Sequence, residues 1–187
     1  MKVKTSPIIC KVEEVRFLTP HICSLSFQTE KPFEFQGGQY INILIPDGSV
    51  EKAFSRNYSI ATPPEKRPLE LCFELVGTGT SYLNRLKPGD TFKIRGPYGE
   101  FVFDSNPNRH FCYVGTGSGI GPFRSIAFSS VFQNTHPISV TCILGVENEE
   151  EIPYRDELEK FALEKPTHHF IPVLSRPKSK DWKGKQG

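Results

Sequence analysis

His110-Phe111-Cys112-Tyr113-Val114, then Gly115-Thr116-Gly117-Ser118-Gly119, then Ile120-Gly121-Pro122-Phe123-Arg124 follow one another without a break, and their order decides the fold. The first five residues form a strand-length, mostly apolar run. The next five put glycine at every second position, and the last five open a helix with proline in its first turn. Strand, glycine turn and helix in that order present backbone N–H groups to an anion. The pattern is not the usual dinucleotide fingerprint, because Ile120 stands where the third glycine of G-x-G-x-x-G belongs, and no Gly-Lys-Ser/Thr follows as in a P-loop. With Thr116 and Ser118 between the glycines, the backbone stays open to a pyrophosphate, and we read the turn as nucleotide-binding.

Towards the C-terminus the alternation continues, with a helix expected over 123–132, a strand over 138–144, a helix over 155–163 and a strand over 169–174. This is a βαβ arrangement. Three strands and two helices make an unfinished doubly wound parallel sheet, so the native protein is expected to continue past Gly187. Towards the N-terminus the period changes to two. Leu69, Leu71, Phe73 and Leu75 alternate with Glu70, Cys72 and Glu74, as in a half-buried strand. Similar runs at 8–15, 22–27, 40–45 and 91–95 are separated by Gly37-Gly38, Pro46-Asp47-Gly48, Pro63-Pro64 and Lys87-Pro88-Gly89-Asp90. Short antiparallel strands with such turns predict a small barrel or sandwich, interrupted by one helix over 80–86 that Thr80 or Ser81 can cap. The turn formers Ser105-Asn106-Pro107-Asn108 mark the boundary, giving units 1–104 and 109–187.

Charge is nearly balanced, 23 basic against 21 acidic residues, which argues against nucleic acid or an anionic membrane as the main partner. The first thirty residues are too charged for a signal peptide or a membrane span, so a cytoplasmic protein is expected. Five widely spaced cysteines fit reduced, half-buried thiols, without zinc or iron–sulfur spacing. His168 and His169 are expected to be structural, and the acidic run Glu147, Glu149, Glu150, Glu151 a solvated loop.

In the antiparallel half, Arg56-Asn57-Tyr58-Ser59-Ile60-Ala61 offers a guanidinium, a phenol ring and a hydroxyl on one β-segment, expected to face one ligand. These suit a flavin nucleotide: a fork for pyrophosphate, a ring to stack and a hydroxyl near the redox-active nitrogen. Gly77-Thr78-Gly79-Thr80-Ser81 opens the helix with N–H groups able to hold phosphate. Taken singly, each is as well explained by a wet strand face or a capped helix.

Together, R-x-Y-S, Gly79-Thr80-Ser81, Gly96-Pro97-Tyr98-Gly99 and G-T-G-x-G-I-x-P-F-R, in that order, resemble the ferredoxin–NADP reductase family over the whole chain, its plant-type branch in particular. The resemblance implies an antiparallel Greek-key FAD-binding barrel followed by an incomplete doubly wound α/β NAD(P)-binding domain. It places Arg56 at the FAD pyrophosphate, Asn57 among the cofactor-binding residues, Tyr58 against the flavin and Ser59 near N5, Tyr58 and Ser59 being the catalytic pair. Cys72, Phe73 and Glu74 would touch FAD, and Gly79, Thr80 and Ser81 its phosphate end. Thr116 would sit between flavin and nicotinamide, and Gly117, Ser118 and Gly119 at the NAD(P) pyrophosphate. Ser175 and Arg176 would read a 2′-phosphate, favouring NADP(H) over NAD(H), since no acidic residue is adjacent in sequence. Two departures stand out: Gly121 replaces the usual alanine, and the family's terminal segment is missing.

The leading expectation is a reductase passing electrons between NAD(P)H and a ferredoxin, flavodoxin or oxygenase component. The alternatives are an FAD-binding electron-transfer module that uses no nicotinamide cofactor, and a nucleotide-binding regulatory domain without flavin.

Overall fold

The alternating half of the chain folds because one face of each strand finds the same apolar core. In the computed structural model, which describes residues 6–46 and 53–187, it forms β1 (Ile8–Phe17), β2 (Ile22–Thr29), β3 (Tyr40–Pro46), β4 (Ala53–Ser59), β5 (Leu69–Glu74) and β6 (Thr91–Tyr98). They make one antiparallel sheet in the order β4-β3-β6-β1-β2-β5. Its two edges meet: Ile60 bridges Leu71, and the Ala61 N–H donates to the Glu70 carbonyl at 2.7 Å. The sheet closes into a barrel, with the edges bridged there. Leu25, Phe27, Ile41, Ile43, Leu69, Leu71 and Ile94 fill it, and α1 (Thr78–Arg85) adds Leu83. The expected turn residues Asp47 and Gly48 lie outside the described residues.

The second half is a parallel sheet in the order β10-β9-β8-β7, from β7 (His110–Thr116), β8 (Ser139–Val146), β9 (His168–Leu174) and β10 (Lys185–Gln186). The fourth strand, β10, was not expected, being two exposed residues with no pattern to find. The single helix expected over 123–132 is two, α2 (Ile120–Ala127) and α3 (Ser130–Thr135). Ser129 breaks it by leaving the helical region and capping α3, its hydroxyl accepting the Phe132 N–H at 3.2 Å. The last helix, α4 (Arg155–Glu164), lies where the 3.6 period puts it. Phe123, Phe132, Val140, Cys142, Leu144, Leu158 and Phe161 form the core here. His168 belongs to it: it is buried, stacked on Phe161 at 4.3 Å with its Nδ1 3.2 Å from the Phe161 carbonyl, and burial holds its pKa below the usual imidazole value.

The two halves share packing. Ile22, Ala61 and Cys72 of the barrel lie in the second core. The polar face of β5 is therefore not the wet face that alternation suggests, because Glu70 and Cys72 lie beneath α2 and Tyr154. The acidic run is a solvated loop only in part, since Glu147 and Glu150 are exposed but the other two acids are engaged. Glu151 is buried and accepts from the Thr19 hydroxyl at 2.8 Å, while Glu149 accepts the N–H groups of Lys178 and Ser179, each at 2.9 Å. Among the described residues no helix is long and apolar enough to cross a membrane.

All five cysteines are free, and only Cys112 is exposed. Burial pushes Cys10, Cys72 and Cys142 up to about 12, which leaves almost no thiolate at neutral pH. We expect an aromatic disulfide reagent to titrate one thiol per native chain, at Cys112, and the remainder only after denaturation. Fast reaction of a second thiol in the native chain would contradict this burial.

Candidate functional site at the cleft between the sheets

Residues two apart on a strand share a face, and β4 accordingly puts Arg56 opposite Ile43 and Tyr58 opposite Ile41. Ser59, paired with Tyr40, lies on the other face with Asn57, so the three groups do not share one face as expected. Asn57 is occupied locally, its Oδ1 accepting from the Asn42 side-chain amide at 3.0 Å. The Tyr58 ring stands edge-on to Phe73 at 6.2 Å. Phe73 is thus a core residue that backs Tyr58. Burial raises the Tyr58 pKa, partly offset by the nearby guanidinium, so the phenol stays protonated at neutral pH.

Gly79 is where α1 touches this pair. A Cβ there would lie 2.9 Å from the Tyr58 hydroxyl and 3.2 Å from Arg56 Cγ, so only glycine admits such an approach. The Thr80 hydroxyl accepts the N–H groups of Val76 and Gly77, at 3.1 and 3.2 Å, and shapes the turn into the helix. Ser81 is exposed one residue on, and a Cβ on Gly77 would meet nothing within 4 Å. Among the described residues no carboxylate forms an ion pair with Arg56. An open glycine turn at a helix start, beside a guanidinium with no carboxylate partner among the described residues, fits a phosphate-bearing flavin.

Along β5, Glu74 is exposed while Cys72, on the same face, is buried beneath α2 near Ala61 and Gly121. Across from Glu74 lies the glycine turn. Thr116 ends β7, Gly117 takes a left-handed φ of +48°, and Gly117–Gly119 form one tight turn leading into α2. The Gly119 carbonyl accepts from the Tyr113 hydroxyl, and a Cβ on Gly119 would meet nothing within 4 Å. Ser118 lies between them, partly exposed. One cleft is lined by His21, Ile22 and Glu74 from the barrel and by Thr116, Gly117, Val146, Glu147 and Glu151 from the parallel half.

Ser175 and Arg176 follow β9 at the same carboxyl edge of the sheet, where α/β sheets bind ligands. Their N–H groups donate to the carbonyls of Val146 and Glu147 at 3.1 and 2.7 Å. Contrary to expectation, an acid does stand beside them: Glu147 Oε1 is 3.4 Å from Arg176 Nη1. Adjacency in sequence does not show it, because the two are 29 residues apart.

Arg124, Tyr154 and Glu70 were given no role by the sequence reading. The signal was there for Arg124, a charge within the apolar start of α2, between Phe123 and Ile126. Its Nε donates to Glu157 at 2.7 Å and its Nη1 to the Ala61 carbonyl at 3.0 Å.

A closed barrel with a flavin-type cradle, joined across one cleft to a parallel sheet with a nucleotide-type turn, defines an oxidoreductase built for two dinucleotide cofactors. Comparison with known proteins agrees. Residues 9–103 match the oxidoreductase FAD-binding domain, and residues 113–187 match the oxidoreductase NAD-binding domain. The chain is 34% identical over 192 residues to ferredoxin–NADP reductase B of Sorangium cellulosum, an alignment covering 99% of this chain and 76% of that protein. It is 31% identical to the phenol hydroxylase P5 protein of Acinetobacter pittii over 94% of this chain, spanning only half (50%) of that protein. A Neisseria gonorrhoeae ferredoxin–NADP reductase, solved with FAD and NADP bound, superposes with a TM-score of 0.85 at 22% identity, over 98% of this chain and 74% of that one. The chain belongs to the ferredoxin–NADP reductase family of FAD- and NAD(P)-binding oxidoreductases.

Proposed function

We propose that the chain is the cofactor-bearing part of a reductase that moves electrons from NAD(P)H to a ferredoxin, a flavodoxin or an oxygenase component. Residues 1–104 would hold FAD and residues 109–187 the nicotinamide nucleotide. The observation that carries this reading is the meeting of β5 and the glycine turn, where Glu74 Oε2 lies 3.9 Å from a Cβ placed on Gly117. Groups held on the two sides are thereby brought within reach of each other. FAD, when bound, accepts hydride and can release single electrons. The chain's residues bind and orient: Arg56 takes the pyrophosphate and Tyr58 covers a flavin face, while Ser59, the last residue of β4 and on its other face, is assigned to the N5 edge of the ring beyond the strand's end. Gly79, Thr80 and Ser81 hold the phosphate end with backbone N–H groups, and residues 116–119 hold the second pyrophosphate. Five free thiols support a reducing compartment such as the cytoplasm.

Flavin released by denaturing the purified protein should be FAD, since the site offers two phosphate contacts rather than one. Anaerobic NADPH should bleach it. A colourless protein that FAD cannot reconstitute, or one that carries FMN alone, would exclude the reading.

We assign NADPH as the preferred nucleotide, with Ser175 and Arg176 holding the 2′-phosphate and Glu147 opposing it. Arg176→Ala should lower kcat/KM with NADPH by about 1.5–3 kcal/mol, the worth of a charged hydrogen bond, and leave NADH nearly unchanged. Glu147→Gln should favour NADPH further by removing a like charge. Equal losses with both nucleotides in Arg176→Ala would remove that residue from the discrimination.

A further inference from the structure

We infer that Tyr154 is a positioning residue, which together with Arg124 and Glu70 sets the spacing between the flavin side and the nucleotide side of the cleft. The inference rests on the two-cofactor reading above. Tyr154 immediately precedes α4 with φ +54° and ψ +32°, a left-handed conformation that a bulky side chain adopts only when its contacts over-determine it. Its side-chain contacts cross to the barrel and to α2. The hydroxyl donates to Glu70 Oε1 on β5 at 2.8 Å, and the Arg124 guanidinium lies 4.5 Å from the ring centroid. Arg124 itself reaches Glu70 Oε2 at 3.3 Å, the Ala61 carbonyl at 3.0 Å and Glu157 at 2.7 Å. Arg16 of β1 approaches the same carboxylate at 3.6 Å. Glu70 and Arg124 are 14% and 15% exposed, so these bonds are made largely out of water and are directional.

The network sits between the two halves of the cleft. Glu70 is on the strand that ends at Glu74, and Arg124 is on the helix that begins at the glycine turn. Between them Gly121 packs on the barrel, a Cβ there lying 3.5 Å from Ala61 Cβ and 3.6 Å from Cys72 Cβ. Any slide of α2 along β5 is therefore passed on to residues 116–119. Apolar contact alone tolerates a slide of a few tenths of an ångström, whereas a ring, a guanidinium and a carboxylate in fixed order do not. Hydride transfer needs an approach of about 3–3.5 Å, and small misplacements cost rate steeply.

The test uses the full chain loaded with FAD and compares wild type with Tyr154→Phe, which removes only the hydroxyl, and with Glu70→Gln and Glu70→Ala. The readouts are the affinities for FAD and for NADPH, the long-wavelength charge-transfer absorbance formed on mixing with NADPH, and the single-turnover rate of flavin bleaching. Tyr154→Phe should keep both affinities within about twofold, weaken the charge-transfer absorbance and slow bleaching by about 10- to 100-fold. Glu70→Gln, which still offers an acceptor, should retain more rate than Glu70→Ala. A Tyr154→Phe chain that melts lower yet keeps wild-type absorbance and rate would show a structural residue only and overturn the inference. Wild type that takes up no flavin, or is bleached by neither nucleotide, fails the underlying reading instead. Hydrogen exchange of the cofactor-free chain then decides: Tyr154→Phe should speed exchange at residues 115–121 and along β5, and unchanged exchange overturns the inference.

Discussion

Gly38→Ala should be among the most destabilising single-atom additions this protein can receive. Gly38 has φ +95°, and a Cβ there would stand 2.0 Å from the backbone carbonyl oxygen of Phe101 and 3.0 Å from Ile126 Cδ1. The first obstacle cannot swing aside, because Phe101 is followed by Phe103, whose ring is wedged between Phe111 and Phe132 at 4.7 and 5.1 Å. Neighbouring Gly37 is close as well, a Cβ there lying 2.8 Å from the Ser125 carbonyl oxygen and 3.0 Å from Ile126 Cα of α2, so the turn that looks like ordinary punctuation in the sequence is where the barrel meets α2 and the connecting segment. Backbone strain and overlap together should cost about 3–5 kcal/mol, a fall in Tm of roughly 10 °C for a chain of this size. Gly89→Ala is the control. Its φ is +94°, but a Cβ there meets nothing within 4 Å, so the loss should be about 1 kcal/mol. Thermal melts of the two variants with equal losses would show that backbone conformation, not the close approach, requires glycine at position 38.

Arg56→Ala should weaken FAD binding by about 1.5–3 kcal/mol, while the cofactor-free protein keeps its stability. The side chain is held close by: Nη1 donates to the Ser55 carbonyl at 2.9 Å and the guanidinium lies 4.9 Å from the Phe54 ring centroid. Those contacts leave donors of the fork to spare. Arg56 Cγ would be 3.2 Å from a Cβ on Gly79, which brings the stem against the start of α1, whose first-turn N–H groups can share the same phosphate. Arg56→Lys, which keeps the charge but not the fork, should fall between alanine and wild type. Titration of the flavin-free protein with FAD measures all three, and an unchanged affinity in Arg56→Ala would take the residue out of the site.

The barrel was legible because each strand commits one face to the core: Leu69, Leu71 and Phe73 are all buried, as alternation requires. The other face of β5 was not legible. A charge in a sequence announces a need for a partner, and water and a second sheet meet that need equally well. Glu70 finds Arg124 and Tyr154, and Glu151 finds Thr19, which is 132 residues away. The same limit hid Glu147 beside Arg176. The motifs named the segments of the candidate site and their order, but facing is a property of single positions, and the register separates Ser59 from Arg56 and Tyr58. A one-residue break such as Ser129, which caps α3 in the middle of an apolar run, escapes any windowed periodicity for the same reason.

The second core takes Ile22, Ala61 and Cys72 from the barrel, and this bears on how such halves can recombine. The barrel carries part of the second half's wall, so a chimera with a relative's barrel inherits a packing problem along with a cofactor site. A donor with a large side chain at position 61 or 72 would prop α2 off β5, and one with a lysine at position 70 would set two cations against each other at Arg124. A chimera that keeps this packing therefore needs small residues at the first two positions and an acid at the third, a requirement that neither cofactor imposes.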